Sequence, residues 1–232
     1  MLDVLFDFLG NTWYLMLLVA LISYLLGSVN FAIIVTRWFS GTDIRDHGSG
    51  NAGATNVLRA QGALPAAITA IGDLGKSMLS VVIGRGLFMA MINPSYAQAE
   101  YVGIFGAYVA GVFCMLGHLY PVFFNFRGGK GVITAYGLFL MLDYRVALLG
   151  ITVFVVVLLI WKMVSLGSLV ASCAVVTLTF VFRTYVYHQP PVVAWFCTLV
   201  GAAMYAVLII KHIPNIKRMI EGTESKISFK KK

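Results

Sequence analysis

Long apolar blocks are the feature that most restricts how this chain can fold. Stretches of about 20 hydrophobic residues recur along the 232-residue sequence, which is the length that a helix needs to cross a hydrocarbon core of about 30 Å. Backbone polar groups inside lipid must be paired within the chain, so these blocks predict transmembrane helices. The chain is 60% hydrophobic with a mean hydropathy of +0.89, and we predict one all-α membrane domain over 1–232.

The apolar pattern predicts seven transmembrane segments. They lie at 13–38, 62–92, 101–116, 132–142, 146–161, 166–182 and 192–210. The fourth is short, about 16 Å long at 1.5 Å per residue. If the fourth segment crosses, one side of the membrane holds the loops at 38–61 and 117–131, Lys162 and the C-terminal tail, and with them most of the cations. If it does not cross, the cations are divided almost evenly between the two sides. The positive-inside rule therefore favours seven crossings, with the N-terminus outside and the C-terminus in the cytoplasm.

The net charge of +8 raises the question of a nucleic-acid partner. The cations sit in short loops beside apolar segments and in a basic tail at about 212–232, which favours anionic lipid head groups over nucleic acid. We expect a multi-pass membrane protein with its site on the cytoplasmic face.

The N-terminus and the cysteines add two expectations. Asp3 and Asp7 stand where a cleaved signal peptide carries cations, so we expect the first segment to remain in the protein. Cys114, Cys173 and Cys197 are far apart and set in apolar runs, so we expect small apolar fillers rather than a disulfide framework or a metal site.

The first of three polar loops on the predicted cytoplasmic side, at 43–59, combines glycines with polar side chains. Its members are the glycines Gly48, Gly50 and Gly53, the neutral donors Ser49, Asn51, Thr55 and Asn56, and the cations Arg45 and Arg59. Glycine permits tight turns in which backbone amides point inward. We interpret the loop as an anion cradle; the alternative is a flexible linker, which seldom carries this combination.

The second polar loop, at 117–131, has the features of a phosphate site at a helix N-terminus. Gly128, Gly129 and Gly131 let the backbone wrap an anion, and Lys130 supplies a point charge. The spacing is not that of a Walker motif. His118 in the same loop is either a structural residue or a ligand.

The third loop and the tail add hydroxyl, amide and basic groups. Ser165 stands at a predicted helix start, where it is either an N-cap or a ligand. His212, Asn215 and Arg218 are three residues apart, so they line one face if the tail is helical; an ordinary basic helix end is the alternative.

The second apolar segment contains two charges that would be costly in lipid. Asp73 and Lys76 lie three residues apart on one helix face, so we predict that they pair and face the protein interior. Arg85, nearer the outer end, can extend its charge to the interface.

These motifs resemble those of the bacterial acyl-phosphate:glycerol-3-phosphate acyltransferases, the PlsY family. The resemblance is carried by the residues at 48–56, 117–121, 128–131, Ser165–Leu166 and 212–218, and it extends over nearly the whole chain. It implies a seven-helix membrane protein that makes lysophosphatidic acid from acyl phosphate and glycerol 3-phosphate, without a metal or coenzyme. It also implies a location in a bacterial cytoplasmic (inner) membrane and a functional link to an enzyme that forms acyl phosphate.

The resemblance also implies roles for individual residues. The principal substrate-binding or catalytic positions are Ser49, Arg59, Lys130, His212 and Asn215, supported by Thr55, Asn56 and the loop glycines. The chain departs from the family pattern at Ala52 in the first loop and at Pro214 and Met219 in the tail. These departures bear on the expected geometry of the tail more than on that of the loops.

Two proton acceptors are open for the implied reaction, in which the glycerol 3-phosphate hydroxyl attacks the acyl carbonyl. Arg59, Lys130 and loop amides would stabilise the developing charge. A phosphate oxygen of the substrate takes the proton in one mechanism, and His212 acts as the general base in the other.

Two other functions use the same kinds of residue. A metal-dependent phosphatidyltransferase needs clustered aspartates, but after Asp43 and Asp46 only Asp73 follows in the relevant region. An organic-phosphate transporter usually has a midplane site between repeated halves, whereas no repeat is visible here and the polar loops lie on one surface.

Overall fold

A computed structural model describes residues 10–92 and 99–227, and every regular element in these ranges is helical. Asp3, Asp7, the segment 93–98 and the terminal lysines lie outside the described residues. The chain forms two compact units, which meet in sequence between Leu142 and Asp143.

Over residues 13–92 and 99–142, the first unit has six helices and two short 3₁₀ turns. The helices are α1 (Trp13–Ser28), α2 (Phe31–Ser40), α3 (Ala54–Gln61), α4 (Ala63–Ala90), α5 (Ala99–Leu119) and α6 (Val132–Leu142), and the turns are Ile44–Asp46 and Val122–Phe124. Helices α1, α4 and α5 pack together, and α6 packs on α4 and α5. The two polar loops of this unit connect α2 to α3 and α5 to α6.

The first predicted segment is divided into two helices at Val29 and Asn30. The Asn30 side chain caps α2 by accepting a hydrogen bond from the Ile33 amide at 3.2 Å. Asparagine favours such caps over a helix interior because its side chain competes for backbone groups. The break turns the backbone carbonyls of Gly27 and Val29 toward other partners, and this matters for the buried charges below.

Small residues let the helices of the first unit approach closely. A Cβ atom at Gly84 would lie 2.5 Å from the Gly106 carbonyl oxygen, and one at Gly27 would overlap the backbone of Cys114. Close approach through glycine is typical of helix packing in membranes, where packing rather than burial from water favours association.

The second unit contains three long helices. They are α7 (Tyr144–Trp161), α8 (Val164–Val181), which continues as a π-turn through Phe182–Val186, and α9 (Pro191–Ile220). Asp143 caps α7, its carboxylate accepting from the amides of Arg145 and Val146.

Helix α9 extends further than the sequence predicts. It includes Pro214 and ends at Ile220, so the first residues of the predicted basic tail are helical. Beyond it the chain turns at Gly222, which has a left-handed φ of 71°, and the Ile227 amide donates to the Lys162 carbonyl at 2.8 Å. The described part of the tail is therefore folded against its own unit.

In the part of the chain that the structure describes, six helical segments are long and apolar enough to cross a membrane. They are Trp13–Ser40, Ala63–Ala90, Ala99–Phe124, Tyr144–Trp161, Val164–Val186 and Pro191–Ile220. Helix α6 has 11 residues and falls below this length. The seventh crossing and the orientation of the termini thus remain predictions.

The three cysteines occupy two kinds of environment. Cys114 and Cys197 are buried, as expected of small apolar fillers. Cys173 is exposed on the surface of its unit, so the filler prediction is wrong for this residue.

Candidate active site

Asn56 shapes the first polar loop. Its side-chain oxygen accepts from the Ser49 amide at 3.0 Å, and its amide nitrogen donates to the carbonyls of Ile44 at 3.1 Å and His47 at 2.9 Å. The residue is buried, so the amide acts as an internal brace of the loop. Ser49 is exposed at the turn that this brace defines.

The glycines of the first loop are required by its backbone. Gly48 and Gly50 have φ values of 58° and 69°, in the left-handed region that favours glycine. A Cβ atom at Gly48 would also overlap the side-chain oxygen of Asn56. Gly53 is the N-cap of α3. Among the other predicted site residues, Asn51 and Thr55 are half-buried and Arg59 is exposed in the last turn of α3.

Arg45 joins the two polar loops of the first unit. Its guanidinium donates to the carbonyl of Phe124 at 2.8 Å and to that of Arg127 at 3.3 Å, and it pairs with Asp43 at 2.8 Å. The Arg45 hydrogen bonds, reinforced by Arg37, hold the pKa of Asp43 well below its usual range despite desolvation. These contacts support a structural role for Arg45 beside its predicted role as a ligand.

A cavity of about 440 Å³ opens where the two loops meet. It is lined by Asp43, Arg45, Asp46, Asn125 and Arg127. Two carboxylates and two guanidinium groups share the lining, so its charge is mixed rather than purely cationic.

The second polar loop is held close to the end of α5. The Gly128 amide donates to the Leu119 carbonyl at 3.2 Å, and the Gly129 amide donates to the His118 carbonyl at 3.1 Å. A Cβ atom at Gly129 would overlap Nε2 of His118 and would lie 2.7 Å from the Ala52 carbonyl oxygen of the first loop. Glycine at this position therefore permits three segments to meet.

Lys130 and Gly131 lead directly into α6. Gly131 has a φ of 85°, and its carbonyl accepts from the Ala135 amide, the first turn of the helix. Lys130 is half-buried beside this helix start. The arrangement agrees with a cation and helix-terminal amides that act together on an anion.

His118 lies in the last turn of α5 rather than in the loop, and it is buried. Its Nδ1 atom is 3.1 Å from Nζ of Lys76 and 3.4 Å from Oδ1 of Asp73. The predicted Asp73–Lys76 pair is confirmed, with a separation of 2.8 Å and both side chains at most 3% exposed. These contacts support the structural interpretation of His118; its role as a ligand stays a prediction.

Ser165 belongs to a buried cluster in the second unit. The N-cap of α8 is Met163, so the capping interpretation of Ser165 is wrong. The Ser165 hydroxyl donates to Oε1 of Glu224 at 2.6 Å and accepts from Nδ2 of Asn215 at 2.7 Å. Asn215 Nδ2 is also 2.7 Å from Oε1 of Glu224.

Glu224 is the residue that the sequence analysis missed. Its carboxylate also accepts a hydrogen bond from Nε of Arg218 at 2.8 Å. One carboxylate therefore contacts three predicted site residues, Ser165, Asn215 and Arg218. Burial raises the pKa of Glu224, but the hydrogen bonds from Ser165, Asn215 and Arg218 outweigh it and hold the pKa below its usual value. The available signal was Gly222, a helix-ending glycine that predicts a reversal of the chain after α9.

His212 and Asn215 share the buried face of α9, as their spacing predicts. Nδ1 of His212 lies 2.8 Å from the Leu208 carbonyl oxygen. A carbonyl only accepts, so Nδ1 carries the proton and the unprotonated nitrogen of the neutral ring is Nε2. This tautomer is suited to a proton acceptor.

The structure thus brings several of the predicted site residues together in two groups, and Arg59 and His212 are not among them. The two glycine loops meet in the first unit, and Ser165, Asn215 and Arg218 meet around Glu224 in the second. Within the described residues, no group of three or more histidine, cysteine, aspartate or glutamate side chains is arranged to hold a metal ion.

Sequence comparisons identify the family. The model of the glycerol-3-phosphate acyltransferase family matches residues 17–222. A glycerol-3-phosphate acyltransferase of Carboxydothermus hydrogenoformans is 37% identical, with 94% of this chain and 99% of the relative covered. A glycerol-3-phosphate acyltransferase of Neisseria meningitidis serogroup B is 38% identical, with 89% of this chain and 94% of the relative covered.

Solved structures agree with the sequence comparisons. The crystal structure of PlsY, an integral membrane glycerol 3-phosphate acyltransferase, in its glycerol 3-phosphate form matches with a TM-score of 0.74 and 32% identity, covering 92% of this chain and 96% of PlsY. The lysophosphatidic acid form of PlsY matches with a TM-score of 0.71 and 32% identity, with 92% of this chain and 95% of PlsY covered. With its several apolar helices, the chain is a multi-pass membrane protein, and it belongs to the PlsY family of glycerol-3-phosphate acyltransferases.

Proposed function

We propose that this protein transfers a fatty acyl group from acyl phosphate to the 1-hydroxyl of glycerol 3-phosphate, giving lysophosphatidic acid and inorganic phosphate. The observation that carries the proposal is the junction of the two glycine loops in a chain of this family. Arg45 joins these loops, and Gly129 packs against Ala52. The solved PlsY structures were obtained in glycerol 3-phosphate and lysophosphatidic acid forms.

The chemistry of the substrates matches the groups that the first unit supplies. Each proposed substrate carries a phosphate group, and phosphate is favoured by backbone amides at a helix start and by cationic side chains. Ser49, Arg59 and Lys130 are the proposed contacts in this unit. Lys130 lies just before the start of α6, where its positive charge and the amides of the helix terminus both attract an anion.

The acyl donor also carries a long apolar chain, which suits a membrane protein. Leu148, Leu159 and Ile160 on α7 are among the large apolar side chains that remain exposed on the helices. We propose that the donor enters laterally from the bilayer while glycerol 3-phosphate arrives from the cytoplasm. The positive-inside distribution of lysine and arginine supports a site on the cytoplasmic face of a bacterial inner membrane.

The proposed step needs no covalent intermediate between the acyl group and a side chain of the protein. The hydroxyl oxygen forms a bond to the acyl carbonyl carbon, and the bond from that carbon to the phosphate oxygen breaks. The electron pair and the negative charge leave with phosphate. Cationic side chains and amides that already point at this charge lower the barrier without reorganising.

The hydroxyl proton has two proposed acceptors. A phosphate oxygen of the substrate can take it, which needs no protein base. His212 is the alternative, supported by the tautomer that places its unprotonated nitrogen at Nε2. Replacement of His212 by asparagine separates the two: a loss of about a hundredfold or more in turnover at saturating substrates supports His212 as the base.

The decisive assay measures phosphate release and lysophosphatidic acid formation by the purified protein with glycerol 3-phosphate. Acyl phosphate, acyl-CoA and acyl carrier protein thioester are compared as donors, with and without a divalent-metal chelator. We expect product only with acyl phosphate, unchanged by the chelator. Turnover with a thioester alone would overturn the donor assignment, and uptake of organic phosphate into vesicles without phosphate release would indicate a transporter.

A further inference from the structure

Three buried polar residues of α4 have no part in the proposed reaction. Asp73, Lys76 and Ser77, here called the α4 anchor, are at most 5% exposed within an apolar helix. Charged groups at such positions are costly and are retained only where partners hold them. Their partners lie at the two ends of the loop that carries Lys130.

The first end of this loop is held through Lys76. Its ammonium group donates to the Gly27 carbonyl at 2.9 Å and the Val29 carbonyl at 2.7 Å, both at the break between α1 and α2. It also lies 3.1 Å from Nδ1 of His118, whose ring edge meets Gly129 and whose carbonyl accepts from the Gly129 amide. Lys76 thus fixes the histidine against which the glycine loop rests.

The second end is held through the neighbouring residue. The Ser77 hydroxyl donates to the Thr134 carbonyl at 2.5 Å, in the first turn of α6. The Thr134 hydroxyl in turn donates to the Gly131 carbonyl at 2.9 Å. Gly137 allows this close contact, since a Cβ atom there would lie 2.8 Å from the Ser77 side chain.

One turn of α4 therefore holds both ends of a loop whose own glycine backbone is conformationally permissive. We propose that the α4 anchor is a positioning device that fixes the loop at 120–131, between α5 and α6, and with it Lys130, for the phosphate of glycerol 3-phosphate. This inference rests on the proposed function, because it assigns Lys130 to the substrate phosphate. None of the three anchor residues touches substrate in this proposal; they act through His118 and Thr134.

A matched pair of serine variants tests the second end. Ser77→Ala removes the hydrogen bond to Thr134, whereas Ser80→Ala removes an equally buried hydroxyl that donates to the Lys76 carbonyl of its own helix at 2.8 Å. We expect Ser77→Ala to raise KM for glycerol 3-phosphate about fivefold, the size expected of one buried hydrogen bond, with kcat within about twofold. Ser80→Ala should leave both constants within about twofold.

A double variant tests the first end without leaving a buried charge unpaired. Asp73→Leu with Lys76→Met replaces the ion pair by apolar groups, a change that folded proteins often tolerate. We expect KM for glycerol 3-phosphate to rise about tenfold or more. Hydrogen exchange of the loop amides at 120–131 should be faster than in Ser80→Ala, and this measurement does not depend on turnover.

The outcomes separate this inference from the proposed function. If the unchanged protein makes no lysophosphatidic acid from acyl phosphate and glycerol 3-phosphate, the proposed function fails, and hydrogen exchange still tests the anchoring. If the unchanged protein is active, and Ser77→Ala and the double variant keep both its KM and its exchange rates, the inference is overturned. If the double variant does not fold, the Ser77→Ala and Ser80→Ala pair decides alone.

Discussion

Each unit of the molecule surrounds predicted site residues with a buried polar cluster, but the two clusters are built differently. In the first unit, Asp73, Lys76 and His118 come from helices α4 and α5, and the carbonyls that complete the cluster come from a helix break. In the second unit, Ser165 and Asn215 are held by Glu224, which follows the last helix.

The difference shows two ways to support a polar site in a membrane protein. The first cluster is an ion pair inside membrane segments, so its charges have no access to water if one partner is lost. In the second, Ser165 lies in α8 and Asn215 in α9, and both depend on the one carboxylate of Glu224, in the short segment beyond α9. We therefore expect the first cluster to govern the stability of the helix bundle and the second to respond to pH.

Lys76→Met gives the largest expected effect. It leaves the Asp73 carboxylate buried without its lysine, and breaking a buried pair on one side costs about 3 to 5 kcal/mol. Thermal unfolding in detergent measures the loss, with Ser80→Ala as the control in the same helix. An unfolding midpoint equal to that of the control would show that the pair does not stabilise the bundle.

Glu224→Ala is expected to have the next largest effect. It removes the acceptor of Ser165, Asn215 and Arg218, and hydrogen bonds to charged groups contribute about 1.5 to 3 kcal/mol. We expect a loss of about 2 to 3 kcal/mol in the free energy of unfolding, smaller than that of Lys76→Met. Glu221→Ala, an exposed glutamate in the same segment, is the matched control. A reversed order of the two losses would contradict the comparison between the clusters.

The pH dependence of stability should carry a contribution from Glu224. Its pKa is lower in the folded protein than the ordinary value of about 4.3, so its contribution is complete above that value and is lost as pH falls through the folded pKa. We expect the unfolding midpoint to fall on acidification below about pH 4, and to fall less steeply in Glu224→Gln. Parallel curves for the two proteins would show that Glu224 does not titrate with folding.

Ser165→Ala should have the smallest effect. Asn215 and Arg218 keep Glu224 as a partner, so only the two hydrogen bonds of the Ser165 hydroxyl are lost, about 1 to 2 kcal/mol. Ser168→Ala is the matched control, because the Ser168 hydroxyl donates to the Val164 carbonyl of its own helix. A loss as large as that of Glu224→Ala would mean that Ser165, rather than the carboxylate, organises the cluster.

Local patterns predicted the features that depend on residues near each other in sequence. The Asp73–Lys76 pair follows from two charges three residues apart in an apolar helix, and His212 and Asn215 share a face for the same geometric reason. The glycine loops were predicted because glycine and cations occur together within one short segment.

Features that depend on distant partners were missed or misassigned. Ser165 was weighed as a cap, but its partner Glu224 is 59 residues away and stood among the residues of a basic tail. His118 was placed in a loop, although α5 extends to Leu119 and buries the histidine beside Lys76. Neither contact leaves a periodic or compositional signal.

The sequence by itself determined that the chain is a helical membrane protein with two glycine-rich cationic loops, because hydropathy and glycine content act locally along the chain. The tertiary structure decided which side chains serve as supports: Asn56 as a brace, Arg45 as a link, and Glu224 as the centre of a cluster. Buried polar groups must find partners wherever the fold brings them, and those partners are set by packing between segments far apart in the chain.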